Sequence, residues 1–178
     1  IRDRDKMIYL DNYKSPLGNI LIASDKCGLT GLWFENQKYF KENLKEDVIF
    51  KENNFIKDTK DYLDIYFSGR NPSFTPKVHM MGTDFRRDVW KILLDIPYGK
   101  TTNYKSIAQK LVEEKDYKKM SSQAVGGAVS HNPISIIIPC HRVVGKDGNL
   151  TGYAGGIDRK IKLLELEKID IENFFLPK

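Results

Sequence analysis

Two prolines within six residues, in Asn71-Pro72-Ser73-Phe74-Thr75-Pro76, stop any helix from running through the middle of this 178-residue chain. A proline removes a backbone donor and clashes with the carbonyl four residues back, so the stretch reads as a linker or a domain boundary. The hydrophobic pattern differs on its two sides. Residues 7–10, 19–23 and 29–34 are short apolar-rich runs separated by the turn signals Lys14-Ser15-Pro16-Leu17-Gly18 and Asp25-Lys26-Cys27-Gly28, the pattern of an antiparallel meander. Over 54–68 the period lengthens. Phe55, Thr59, Tyr62, Leu63, Tyr66 and Phe67 recur at three- and four-residue spacing, which predicts one helix with a buried aromatic stripe, closed by Ser68-Gly69. After the break, Thr83 or Asp84 caps a helix whose apolar face is Phe85, Val89, Ile92, Leu93 and Ile96, ending at Pro97-Tyr98-Gly99. The expected fold is α/β: a small N-terminal antiparallel sheet with a helix over 7–77, then a mainly helical C-terminal domain over 78–178.

Two more short helices follow. Thr101-Thr102-Asn103 leads into 104–112, with Ile107, Ala108 and Leu111 inward, and a charged loop at 113–119 separates it from a second helix over about 121–130. The pair resembles a helix-turn-helix. Lysine and arginine outnumber aspartate and glutamate by 29 to 24, and the window 98–146 alone, with 8 basic and 3 acidic side chains, carries the same surplus of five. A polyanion contact is expected there, against the plainer reading of a solvated basic face. Within the second helix, Gly126 and Gly127 stand side by side, each costing about 1 kcal/mol relative to alanine. Something must therefore approach that backbone closely, either a packing neighbour or a nucleic-acid backbone. Residues 134–138 are continuously apolar, short enough for a buried strand, and lead to Pro139-Cys140-His141-Arg142.

No run of about 18 apolar residues exists, so a membrane-spanning helix is excluded. Residues 2–6 are all charged, and Met7 reads as the natural start, so the first six are set aside. Two cysteines, Cys27 and Cys140, cannot build a disulfide framework, which suits a reducing cytoplasm. With three histidines besides, no metal site and no cofactor are expected.

Cys140 sits where an apolar run meets a glycine-rich loop (Gly145, Gly148, Gly152, Gly155, Gly156), which is a place for a nucleophile. A free thiol of pKa about 8.5 is only a few per cent thiolate at neutral pH, and the adjacent His141 and Arg142 supply an imidazole and a positive charge that could raise that fraction. The other reading is a buried, inert cysteine beside a histidine. In extended backbone, moreover, adjacent side chains point to opposite faces, so His141 could reach Cys140 only through a turn or a water.

Ile-Pro-Cys-His-Arg-Val-Val at 138–144 resembles the signature of the O6-alkylguanine-DNA alkyltransferases, also called methylated-DNA–protein-cysteine methyltransferases. Matches in order and spacing continue through 85–99, 104–108, 124–128, Asn132-Pro133, 152–156 and Leu163-Leu164 to Glu167. They cover about half the chain strongly, from 84 to 167. The resemblance implies DNA repair by a single-turnover transfer of the alkyl group from O6 of an alkylguanine, and O4 of an alkylthymine, to Cys140. It also implies that His141 deprotonates the thiol through a water while held by Glu167, and that Asn132 ties the second helix to the reactive segment. Tyr104 would assist nucleotide rotation and bond the guanine ring nitrogen. The carbonyls of Cys140 and Val143 would recognise the exocyclic amine, and Tyr153 and the Ala154 amide would line the pocket near O6. Because a thiol cannot reach a stacked base, the lesion must be flipped out of the duplex. Ala124, Gly126, Gly127 and Ala128 would then lie in the minor groove of double-stranded DNA.

This chain departs from the family pattern in two places. Gln123 stands where many members carry an intercalating arginine, so weaker DNA affinity is expected. Some relatives hold a structural zinc in the first domain, and here only Cys27 and His79 are available for it. The resemblance further implies a cytoplasmic monomer acting on alkylated DNA without a membrane. Three other readings compete: a lesion-binding module that does no chemistry, a cysteine hydrolase that turns over, and a plain transcription factor.

Overall fold

The computed structural model describes residues 6–42, 44, 47–150 and 152–176; the opening segment set aside above lies, apart from Lys6, outside them. The chain divides into two compact units, Ile1–Met81 with Pro133–Ile137, and Gly82–Asn132 with Ile138–Lys178.

In the first unit, β1 (Ile8–Ser15), β2 (Gly18–Ser24) and β3 (Leu29–Phe34) form the expected antiparallel meander. The Ser15 hydroxyl donates to the Gly18 carbonyl at 2.6 Å across the first turn. A fourth strand, β4 (Val48–Phe50), pairs in parallel with β1, so the sheet is mixed, in the order β3-β2-β1-β4. Three exposed residues carry no alternation that would announce a strand, and only the pairing with β1 defines it. Helix α1 (Asn54–Phe67) begins where the Asn53 side chain accepts the Ile56 amide at 3.0 Å, and it buries Ile56, Thr59, Tyr62, Leu63 and Tyr66. Ile56 thus takes the inward place that the periodicity gave to Phe55, which is only half-buried.

Residues 134–138 are not a strand. Ile134 makes one bridge to Leu32, the Leu32 amide donating to the Pro133 carbonyl at 2.8 Å, and the chain then turns with Ile136 at φ 68°. Pro133 and Pro139 bracket the segment and deny it a ladder donor at each end. Its apolar side chains are buried all the same, because it covers the edge of β3.

In the second unit, Thr83 caps α2 (Asp84–Leu94), which buries Val89, Trp90, Ile92 and Leu93. Asn103 caps α3 (Tyr104–Glu114) and Ser121 caps α4 (Ser122–Ser130), giving the expected helix pair. Two-residue strands, β5 (Thr102–Asn103) and β6 (Val143–Val144), pair in parallel and tie the start of α3 to the segment after Cys140. A further helix, α5 (Ile157–Leu166), packs on the Cys140–Arg142 turn. Among the described residues no helix is long and apolar enough to cross a membrane.

Candidate active site and DNA-binding face

Cys140–Arg142 form one turn of 3-10 helix, with the Arg142 amide donating to the Pro139 carbonyl at 3.0 Å. A 3-10 turn rotates successive side chains by about 120°, so Cys140 and His141 escape the opposed directions of strand neighbours. All three residues are buried. Asn132, also buried, donates from Nδ2 to the Ile138 carbonyl at 2.8 Å and hydrogen-bonds the Cys140 side chain. Asn132, two residues past the end of α4, is thus hydrogen-bonded to the segment that leads into the Cys140 turn.

Behind the cysteine stands a buried ionic cluster. Glu167, just past the end of α5, meets His141 Nε2 through Oε2 at 2.5 Å, and its Oε1 accepts Arg142 Nε at 2.8 Å and the Gly99 amide at 3.0 Å. Arg142 also donates to the Ile96 carbonyl at 2.7 Å, and its guanidinium lies 5.7 Å from the centre of the Tyr98 ring. Burial by itself would raise the Glu167 carboxyl; the bonds and charges of His141 and Arg142 outweigh it and hold the group at about 2. Burial lowers the imidazole of His141 below its ordinary 6.5, against the pull of Glu167. The pair at neutral pH is a carboxylate and a neutral imidazole that donates from Nε2, so Nδ1 is the nitrogen able to accept a proton. Burial likewise pushes the Cys140 thiol up, partly offset by Asn132, Lys160 and the amides of residues 140 and 141. Resting Cys140 is thus a neutral thiol.

Tyr104 opens α3 and is raised to about 12, first by burial and then by Cys140, so it is a hydrogen-bond donor at neutral pH. Its hydroxyl lies where a side chain at Gly152 would reach, 2.6 Å from the position of a Cβ there, and Gly152 has φ +84°. Glycine is required at that position on both counts. Tyr153 is buried and Ala154 half-buried on the loop that follows.

Comparison with known proteins shows the family. The model for the 6-O-methylguanine DNA methyltransferase DNA binding domain matches residues 84–169, and that for the ribonuclease-like domain of the same family matches 8–79. The chain belongs to the 6-O-methylguanine DNA methyltransferase family. It is 42% identical to a methylated-DNA–protein-cysteine methyltransferase of Methanosarcina barkeri over 90% of this chain and 98% of that one. To its Mycobacterium leprae counterpart it is 40% identical, over 91% and 93%. The crystal structure of Mycobacterium tuberculosis O6-methylguanine methyltransferase superimposes with a TM-score of 0.76 at 40% identity, covering 91% of this chain and 93% of that one. A structure of the Mycobacterium tuberculosis protein in complex with DNA gives the same TM-score at 39% identity, covering 91% and 92%.

In this methyltransferase-family chain the glycine pair of α4 divides in two. The Gly126 position faces the Tyr104 ring at ordinary contact distance, 3.8 Å, whereas nothing lies within 4 Å of a side chain built at Gly127. Among the described residues no neighbour requires glycine at 127. Gln123, Ala124 and Gly127 are exposed. Ala128 is buried, and its carbonyl accepts Trp90 Nε1 at 2.9 Å. The register of α4 decides this, since Val125, Ala128 and Val129 form its inward stripe. Beside Tyr104 a cleft of about 440 Å³ is lined by Asn103, Lys105, Ser122, Lys146 and Asp147.

Sequence reasoning missed Arg142 as a structural partner of Glu167, and it missed Lys160 altogether. A signal existed: Lys160, Leu163, Leu164 and Glu167 follow one another at helical spacing, a charged residue at each end of an apolar stripe. In the first unit Asp25 joins Cys27 and His79, the three donor groups lying within 4.8 Å of one another. The Asp25 oxygens are engaged already, Oδ1 by the Cys27 and Gly28 amides at 2.8 and 3.1 Å and Oδ2 by His79 Nδ1 at 2.5 Å. The carboxylate shapes the turn between β2 and β3.

Proposed function

We propose that this chain repairs alkylated double-stranded DNA by moving the alkyl group of an O6-alkylguanine, or an O4-alkylthymine, onto Cys140 in one irreversible turnover. The observation that carries the reading is the buried thiol on a tight turn, backed by a neutral His141 bonded to an ionised Glu167. That is a nucleophile, a base and an orienter. The sulfur attacks the alkyl carbon in line; the S–C bond forms as the O6–C bond breaks, and the electron pair of that bond stays on the guanine. The thiol proton leaves through a water to Nδ1 of His141, and a proton returns to the base, so the product is guanine and a thioether that does not turn over.

The roles implied by resemblance fit the geometry as follows. Asn132 hydrogen-bonds the sulfur, and Tyr104, protonated at neutral pH, donates to the flipped base. The carbonyls of Cys140 and Val143 accept from the exocyclic amine, with Tyr153 and Ala154 lining the pocket near O6. The exposed backbone at Gly127, with Ala124, Gly126 and Gln123, meets the minor groove, and the basic side chains of 98–146 hold phosphates. The protein acts as a monomer in the cytoplasm.

The test is intact-protein and peptide mass spectrometry after mixing the chain with a duplex holding one O6-methylguanine. A gain of one methylene's mass, saturating at one per protein and confined to the peptide with Cys140, is expected. Lesion-selective binding without that gain would mean a non-catalytic binding module, and repeated turnover would mean a different enzyme.

Two further results are expected. Since burial holds His141 below 6.5, the single-turnover rate stays level as pH falls to 6.5 and drops only below it, where the imidazole takes up a proton and ceases to be a base. A drop centred at or above 6.5 in rapid-quench assays would remove His141 from that role. Gln123→Arg adds a charge beside the vacated stack and should tighten duplex binding by roughly 1 kcal/mol, about fivefold, with the chemical step unchanged. Unaltered affinity in a titration at fixed salt would refute it.

A further inference from the structure

Beyond Glu167 the chain turns, with Lys168 at φ 62°, and runs back to the loop that follows the Cys140 turn. There Phe175 forms a parallel bridge with Asn149: its amide donates to the Gly148 carbonyl at 3.0 Å, and its carbonyl accepts the Leu150 amide at 2.9 Å. The approach is close enough to require glycine. A Cβ at Gly148, where φ is +90°, would lie 2.7 Å from the Asn173 carbonyl oxygen and 2.9 Å from the Phe174 ring. Ile169, Ile171 and Phe174 pack on the buried Val144, Leu150 and Leu164, so the same segment also completes the small core under the loop.

The loop held in this way is one wall of the cleft beside Tyr104. Lys146 and Asp147, exposed at its tip, line that cleft, and Gly152 beyond it faces the Tyr104 hydroxyl. The loop's own bonds close it only on itself: the Gly145 amide donates to the Asn149 carbonyl at 2.6 Å and the Gly148 amide to the Gly145 carbonyl at 3.2 Å. Such bonds fix its shape, whereas its position depends on what its base is bonded to. We propose that residues 169–175 are a strap that fixes this loop as a rigid wall of the cleft, and that the fixed wall sets the size of alkyl group the site admits. The proposal deepens the repair reading and rests on it for the identity of what enters the cleft. Phe175 is a positioning residue, since it touches the loop and not the alkylated base. A wall that cannot give way favours a small group, held against it in a preformed pocket, and excludes a large one that must displace it. Releasing the wall should therefore cost methyl transfer more than benzyl transfer, whereas a merely structural loss lowers both alike.

The experiment compares the wild type, Phe175→Pro, Phe175→Leu and a chain ending at Lys168, each checked for folding by thermal denaturation. Proline removes the N–H that bonds Gly148 while changing a side chain that is 46% exposed, and leucine keeps that N–H. In the DNA-free protein, exchange of the Leu150 amide, read by NMR, should be faster by roughly fivefold or more in Phe175→Pro and in the shortened chain, and unchanged in Phe175→Leu. With duplexes holding one O6-methylguanine or one O6-benzylguanine, the ratio of benzyl to methyl single-turnover rates should rise about fivefold or more in the same two variants. Unchanged Leu150 exchange overturns the strap, and faster exchange with an unchanged ratio overturns its control of size. Should the shortened chain fail to fold, Phe175→Pro decides both points alone. If the wild type transfers no alkyl group the repair reading falls, and Leu150 exchange then decides whether the segment holds the wall.

Discussion

Cys140→Ser should lower the single-turnover rate on an O6-methylguanine duplex by on the order of 10⁴-fold or more, the scale set by loss of a nucleophile elsewhere. The hydroxyl keeps the size and the hydrogen-bonding capacity of the thiol, and Asn132 and the amides of residues 140 and 141 remain to bond it. What disappears is the soft nucleophile that, in the proposed reaction, His141 would ionise. Because the shape at this 5%-exposed position is retained, the melting temperature should move by only a few degrees. Lesion-duplex binding should persist, since the pocket and α4 are untouched. Alkylation of the serine variant at any other residue, the exposed Cys27 included, would show that Cys140 is not the acceptor.

Glu167→Ala should cost both stability and rate. The carboxylate accepts from His141, Arg142 and Gly99, and its removal strands a guanidinium that is 6% exposed. Deleting one partner of a buried pair typically destabilises by about 3–5 kcal/mol. Losing the orienter of a general base should slow transfer by on the order of 10²-fold. Urea unfolding and rapid-quench kinetics measure the two separately, and Glu167→Gln, which keeps the shape and one acceptor, should fall between. The same carboxylate sets an acid limit to the fold. Its folded value of about 2 lies below its ordinary 4.5, so its contribution is complete above pH 4.5 and is lost as pH falls from there toward 2. Glu167→Ala should lack that part of the acid transition; an identical acid profile in both proteins would mean that the cluster does not stabilise the fold.

The features that were legible in the sequence are those whose cause is local. Asn53, Thr83, Asn103 and Ser121 each accept an amide within the first turn of the helix they begin, and those short-range bonds are written in residue type and spacing. The turns closing β1 to β2 and β2 to β3 are of the same kind. So is the run 138–144, whose residues form the reactive turn within one stretch of chain. The expected partner Glu167, twenty-six residues on, came from resemblance to the family and not from any local signal.

Tertiary structure decided the rest. Residues 48–50 become a strand only because β1 offers a free edge, and 133–137 give up their apparent strand character to cover the edge of β3. The register of α4 turns Ala128 inward and leaves Gly127 facing outward, a choice that two adjacent small residues do not announce. Above all, Arg142 and Lys160 look in the sequence like ordinary basic side chains of a positively charged region, yet both are buried and bonded within the second unit. Burial is what gives them consequence. A charge in water is screened and interchangeable with its neighbours, whereas one withdrawn from water must be answered by particular atoms, here Glu167 and the Ile96 and Val143 carbonyls. Which charges are withdrawn depends on how α5 packs on the reactive turn, a contact between segments too distant along the chain for residue order alone to specify.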